Sequence, residues 1–194
     1  CARLKLAGRK YSSSGISENA GFDRFNENIF KDPEQLKRTR RAAEICAQYA
    51  ENLEIGGAKG LLLMGETGLG KTFLMDSIGR EAIRRGYSVK KYTAYNLIDA
   101  ALRAVRRHEA GPELTGAELL LLDDLGTEPM IPGVTIETLF AAINERQFAG
   151  KATVIATNLT KNELFTQYGE RIFSRLFASR EYAAITLRGK DLRM

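Results

Sequence analysis

The stretch Gly65-Glu66-Thr67-Gly68-Leu69-Gly70-Lys71-Thr72 satisfies the pattern G-x-x-x-x-G-K-[ST] at every fixed position. Glycines at this spacing let the backbone curl until successive N–H groups face one point, which suits phosphate oxygens. Lys71 adds a charge for the β- and γ-phosphates, and the Thr72 hydroxyl is a hard donor suited to Mg²⁺. The flanks agree. Gly60-Leu61-Leu62-Leu63-Met64 is a short apolar run that predicts a buried strand, and the residues from Phe73 to Ile78 predict a helix whose positive end adds to the anion site. Phe73, at the loop's exit, completes the candidate ligand-contacting set.

A second constellation lies downstream. Leu119-Leu120-Leu121-Leu122 predicts a strand buried on both faces, ending in Asp123-Asp124. Carboxylates at the C-terminal edge of such a strand stand where open α/β sheets bind ligands. Asp123 is the candidate Mg²⁺ partner beside Thr72, and Asp124 the candidate group that orients or activates an attacking water. The strand predicted over Ala152–Thr157 ends at Asn158, whose amide would reach the γ-phosphate or the water if this strand lies between the other two. Arg171 and Arg175, spaced i and i+4, share one face of a helix predicted over Glu170–Phe177.

The elements that carry these groups alternate. Asp32-Pro33-Glu34-Gln35 predicts a helix start with Asp32 as N-cap and Gln35 at N3, running to about Glu54, where Gly56-Gly57 ends it. A helix ending at Gly86 follows the loop, then a strand over Ser88–Thr93 and a helix over Asn96–His108 with Leu97, Ala101, Leu102 and Val105 inward. Thr135–Ala149 predicts a helix, Thr160-Lys161-Asn162-Glu163 a capping box, and Ala183–Leu187 the last strand. This alternation predicts an α/β fold with a parallel sheet covered on both faces. The basic, Ser-rich residues 1–21 predict a linker or arm, leaving 22–194 as one domain.

At this point the sequence resembles a known family. The loop 65–72, Leu121-Leu122-Asp123-Asp124-Leu125-Gly126-Thr127-Glu128, Thr157-Asn158 and Gly169-Glu170-Arg171-Ile172-Phe173-Ser174-Arg175-Leu176 occur in the order found in AAA+ ATPases. They are most similar to the DnaC/DnaI type of bacterial replicative helicase loader, with IstB-type transposition helpers as close relatives. The resemblance implies a three-layer α-β-α P-loop fold with sheet order 5-1-4-3-2. It implies Walker A at Lys71 and Thr72, Walker B at Asp123 and Asp124, sensor 1 at Asn158, and an arginine finger at Arg175 with Arg171 its lesser neighbour. The segment Phe22–Phe30, Phe25 included, would flank the adenine base. ATP/ADP and Mg²⁺ are the implied cofactors; a DnaB-type helicase, single-stranded DNA and further copies of the chain are the implied partners.

Two departures carry expectations. Asp124 stands where many AAA+ proteins place Glu, so hydrolysis is expected to be slow and raised by assembly or DNA. The residues after the last strand leave no room for the usual helical lid, so Arg193 either replaces its sensor 2 arginine or belongs to a frayed basic tail. The resemblance also places a pore-facing element at Asn96–His108, where Arg103, Arg106 and Arg107 would track a phosphate backbone; the other reading is a solvated face with basic residues favouring the helix dipole. His108 is given no catalytic role.

Composition bounds the rest. The chain has 194 residues, a net charge of +5 and 44% hydrophobic residues, which suits one globular domain and permits an anionic partner. No apolar run approaches a membrane span, no signal peptide is visible, and Cys1 and Cys46 make no metal spacing, so the cytoplasm is the expected compartment. Opening on Cys1 rather than Met, the sequence is expected to be a fragment. A small-molecule kinase on the same fold is disfavoured because Asp123-Asp124 with Asn158 suits water as nucleophile. A non-hydrolysing nucleotide-binding scaffold is the remaining class.

Overall fold

In the computed structural model, residues 15–53, 60–178 and 181–193 are described. Five parallel strands form one sheet: β1 (Gly60–Met64), β2 (Val89–Thr93), β3 (Leu119–Leu125), β4 (Ala152–Thr157) and β5 (Tyr182–Thr186). Their order is β2-β3-β4-β1-β5, the expected 5-1-4-3-2 read from the other edge. The helices are α1 (Pro33–Glu51), α2 (Lys71–Arg84), α3 (Ala94–Arg107), α4 (Thr135–Phe148) and α5 (Lys161–Phe177).

Alternation along the central strands sorts the core into two halves. Leu61, Leu63, Leu121, Val154 and Ala156 meet Ala42 and Cys46 of α1 and Leu74 and Ile78 of α2. Leu62, Leu122 and Ile155 point the other way, onto Leu97 of α3, Ile143 of α4 and Ile172 of α5. Every residue of β1 and β4 is buried, as parallel strands covered on both faces require.

Helix ends follow the local chemistry. Asp32 accepts from the Glu34 N–H, and Thr160 with Glu163 forms the expected capping box. Gln35 does not complete a box. Its amide donates to the Lys190 carbonyl at 2.7 Å and its carbonyl accepts from the Lys190 N–H at 3.0 Å, tying α1 to the segment after β5. The helix after β4 is bent at Gly169, whose φ of 74° is open to glycine at little cost, so the two expected helices run on as one kinked element.

The structure differs from the sequence expectations in four further places. Strand β3 continues through both acids to Leu125, with a register shift against β4 between Leu122 and Leu125. Val105 is 60% exposed; the buried face of α3 is Ala94, Leu97, Ile98, Ala101 and Ala104. Helix α1 ends at Glu51 with Asn52 as its C-cap; the expected stop at Gly56-Gly57 lies outside the described residues. Of the expected arm, residues 1–14 also lie outside them, whereas Ile16 and Ala20 are buried, and Arg80 of α2 donates to the Ala20 carbonyl at 2.6 Å.

Candidate nucleotide site

The loop 65–70 joins β1 to α2 at the C-terminal edge of the sheet. Gly70 caps α2 in a left-handed conformation, and no side chain caps this helix, so its first N–H groups stay available to an anion. Lys71 is buried and curls back on its own loop, donating to the Gly65 and Glu66 carbonyls at 2.7 Å each. Burial pulls its ammonium below the usual lysine range, against the opposing charges of Asp124 and Asp123.

Beside the loop, Asp123 emerges from β3. The Thr72 hydroxyl donates to its Oδ1 at 3.3 Å, and the Asp124 N–H donates to the same oxygen at 3.1 Å. Two hard oxygen donors this close, at the foot of a phosphate-binding loop, fit Mg²⁺. Asp124 has φ 54°, a left-handed conformation, and its side chain lines the cleft. Burial, then the charge of Asp123, raises its carboxyl above the ordinary range, with Lys71 and Lys91 opposing. Asn158 follows β4, which runs between β1 and β3, and so lines the same cleft between Lys71 and Asp124.

The cleft encloses about 590 Å³. Its polar floor is the loop from Thr67 to Thr72; its apolar end is Phe25, Ile29, Phe30 and Phe73. Phe25 packs on Phe30 at 5.7 Å and on Phe73 at 6.5 Å between ring centroids. Two short 3-10 turns, Phe22–Arg24 and Glu27–Ile29, hold Phe25 and Phe30, and α2 carries Phe73. Leu192 and Arg193 line the cleft as well. The segment that carries them is docked, not frayed: the Leu192 N–H donates to the Gly68 carbonyl at 3.0 Å, and Arg193 pairs with Asp191 at 2.6 Å. Gly68 has φ 78°, and a Cβ there would stand 1.9 Å from an Asp191 carboxylate oxygen, so a side chain at this position would be strained and would push Asp191 away.

The remaining candidates lie elsewhere. Arg175 is exposed on α5 and is not part of the cleft lining; its guanidinium stands 5.8 Å from the Phe140 ring, over which Arg171 stacks at 3.6 Å. Arg103, Arg106 and Arg107 are exposed on α3, with Arg103 paired to Asp99 at 3.0 Å. Cys46 is fully buried and its thiol is pushed up to about 12, an inert hydrophobe.

Sequence reasoning passed over several covered charges, Lys91 and Glu128 among them. Lys91 of β2 reaches Asp76 at 2.7 Å and Asp123 at 3.2 Å. The signal was available in the alternation of β2: Val89 faces the core, and Lys91, two residues on, shares its face. Glu128 is buried, accepting from the Tyr168 hydroxyl and from the Gly126 N–H, and so braces the turn after β3.

The family model described as IstB-like ATP binding protein matches residues 52–177. The chain belongs to this family. The replicative helicase loader DnaI of Bacillus subtilis (strain 168) is 25% identical over 155 residues, covering 76% of this chain and 49% of DnaI. The replicative helicase loader DnaC of Escherichia coli (strain K12) is 25% identical over 178 residues, covering 87% of this chain and 68% of DnaC. This chain thus spans about half the length of DnaI. A crystal structure of the DnaC helicase loader shares the fold with a TM-score of 0.73 at 22% identity, covering 88% of this chain and 98% of that one. The IstB-like domain is therefore an AAA+ ATP-binding domain. Among its described residues, no helix is long and apolar enough to cross a membrane.

Proposed function

We propose that this domain hydrolyses ATP and is the nucleotide switch of a bacterial helicase loader, acting on a DnaB-type replicative helicase and single-stranded DNA in the cytoplasm. The observation that carries the reading is the convergence of Lys71, Thr72, Asp124 and Asn158 on one cleft from the ends of three adjacent strands, with Asp123 held behind it by the Thr72 hydroxyl.

Each side chain has a task there. Lys71 exchanges its two loop carbonyls for phosphate oxygens. Loop N–H groups and the open end of α2 cradle the phosphates. Thr72 and Asp123 hold Mg²⁺, which when bound neutralises charge on the phosphates. Asp124 orients the attacking water and accepts its proton, a role its raised carboxyl basicity suits. Asn158 donates to the γ-phosphate or the water, and Phe25 with Phe73 takes the flat face of the adenine. Arg193 closes the cleft from the docked segment. Arg175, outside the cleft, serves a neighbouring copy's site. The exposed arginines of α3 engage the phosphate backbone of DNA.

A second reading, a transposition helper acting on duplex DNA, is favoured by the IstB-like description of the matched family. One experiment separates them. Phosphate release by the wild type and by Lys71→Ala is measured alone, with single-stranded DNA, with duplex DNA, and with a purified DnaB-type helicase. The loader reading expects stimulation by single strands and capture of the helicase, with Lys71→Ala inactive throughout. Stimulation by duplex alone, with no helicase capture, would favour the transposition reading. Turnover by Lys71→Ala at the wild-type rate would place the chemistry outside this cleft.

A further inference from the structure

Lys91 is a cation seated behind the cleft, against the carboxylate of Asp123. Its ammonium lies 2.7 Å from Asp76 and 3.2 Å from Asp123, and its side chain is 12% exposed. Asp76 is itself buried on α2, one turn beyond Thr72, and also accepts from the Ser17 N–H at 3.2 Å. Asp123 thus has two oxygens with different partners: Oδ1 faces Thr72 and the Asp124 N–H, and Oδ2 faces Lys91. Two buried carboxylates and one ammonium leave the cluster with a single net negative charge. Without Lys91 it would carry two, next to a bound polyphosphate.

We propose that Lys91 is a positioning residue for Asp123 that also stands in for part of the metal's charge, so that nucleotide binding by this domain depends less on Mg²⁺ than the site would otherwise require. The geometry gives the two effects together. The ion pair fixes the Asp123 carboxylate with Oδ1 turned toward Thr72, and the ammonium offsets its repulsion of phosphate when no divalent ion is present. The proposal rests on the reading of Asp123 as the metal-side carboxylate.

The test is binding of a fluorescent ATP analogue, measured with excess Mg²⁺ and with EDTA. The readout is the ratio of the two dissociation constants. Lys91→Met is expected to raise that ratio by about tenfold or more, the scale of one partly screened charge, through weaker binding in EDTA. Lys91→Arg, which keeps the charge, should hold the ratio within a few-fold of wild type.

Lys91→Met also strands Asp76, so the double variant Asp76→Asn/Lys91→Met is measured beside it. The double variant removes the second buried charge, returns the cluster to the single negative charge of the wild type, and should melt near the wild type with its ratio back near the wild-type value. Asp76→Asn alone leaves Lys91 with Asp123 and no net charge, and should lower the ratio below the wild-type value; a wild-type ratio in both folded Lys91→Met and folded Asp76→Asn overturns the proposal, since Lys91 would then serve only Asp76. Absence of analogue binding by the wild type in both buffers would overturn the nucleotide cleft itself, and the proposal with it.

Discussion

Asp124 carries its carboxylate on a backbone with φ 54°, which most L-residues adopt only at a cost and which Asn and Asp tolerate best. The two substitutions that remove the acid should therefore differ in stability but not in chemistry. Asp124→Asn keeps a side chain suited to the conformation, so its melting temperature should match or exceed the wild type. Asp124→Ala should cost about 1 kcal/mol from the strained backbone alone. Both should bind the nucleotide normally and release phosphate at least about tenfold more slowly. Denaturation curves and single-turnover phosphate release check the two halves; wild-type turnover by Asp124→Asn would move the proton acceptor elsewhere. At this scale the sequence was most legible where a motif names residues outright, as with Lys71, Thr72 and Asp123. It was least legible where a charge is hidden by its partners. Lys91 sits in a strand that reads as half polar; the alternation from Val89 turns it inward, but its partners Asp76 and Asp123 come from other elements that the strand's own sequence does not name.

The elements are held from the side opposite the cleft by one buried arginine. Arg146 of α4 has no exposed surface and makes five hydrogen bonds, to the Thr153 hydroxyl and to the carbonyls of Leu114, Ala117, Glu118 and Ala152. Glu118 and Ala152 stand at the entrances of β3 and β4, so this guanidinium sets the start of the two strands whose ends carry Asp123 and Asn158. Burial lowers its basicity to about 10, which leaves it charged at neutral pH. Arg146→Ala should destabilise by about 3 kcal/mol or more, because it opens a cavity and orphans buried carbonyls. Arg146→Lys should recover little, since three donors cannot replace the planar fork. Urea denaturation measures both. Nucleotide affinity of the folded fraction should be unchanged, as the cleft lies at the other edge. Element existence was legible from apolar runs and caps, and β1 and β4 match to the residue. What was not legible is the irregular part: the shift in β3 that turns Asp124 into the cleft, and the return of the segment after β5 onto Gly68, both set by contacts between distant segments.

Across the whole molecule, the parallel sheet follows from the alternation of strands and helices and its strand order from the resemblance, whereas assembly depends on surfaces that periodicity does not describe. Arg175 lies outside the cleft lining, so its proposed role requires a second copy. If it completes a neighbour's site, ATP turnover per molecule should rise with protein concentration, and Arg175→Ala should flatten that rise without changing nucleotide affinity. Mixing Arg175→Ala with Lys71→Ala should restore part of the activity, since one supplies an intact pocket and the other an intact arginine. An Arg175→Ala protein whose turnover still climbs with concentration would confine the residue to its stack on Phe140.

The position of β1 has a consequence for how the protein is made. The strand that leads into the phosphate loop pairs with β4 on one side and β5 on the other, both encoded far downstream. A chain emerging from the ribosome therefore carries Leu61, Leu62 and Leu63 with neither neighbour until β4 has been made. The loop has its motif early, but it lacks the strand scaffold that holds it until nearly the whole domain has appeared. Competence to hold nucleotide is thus a late event in biosynthesis, and a stalled or truncated product would present a bare apolar strand to chaperones and proteases before it could ever compete for ATP.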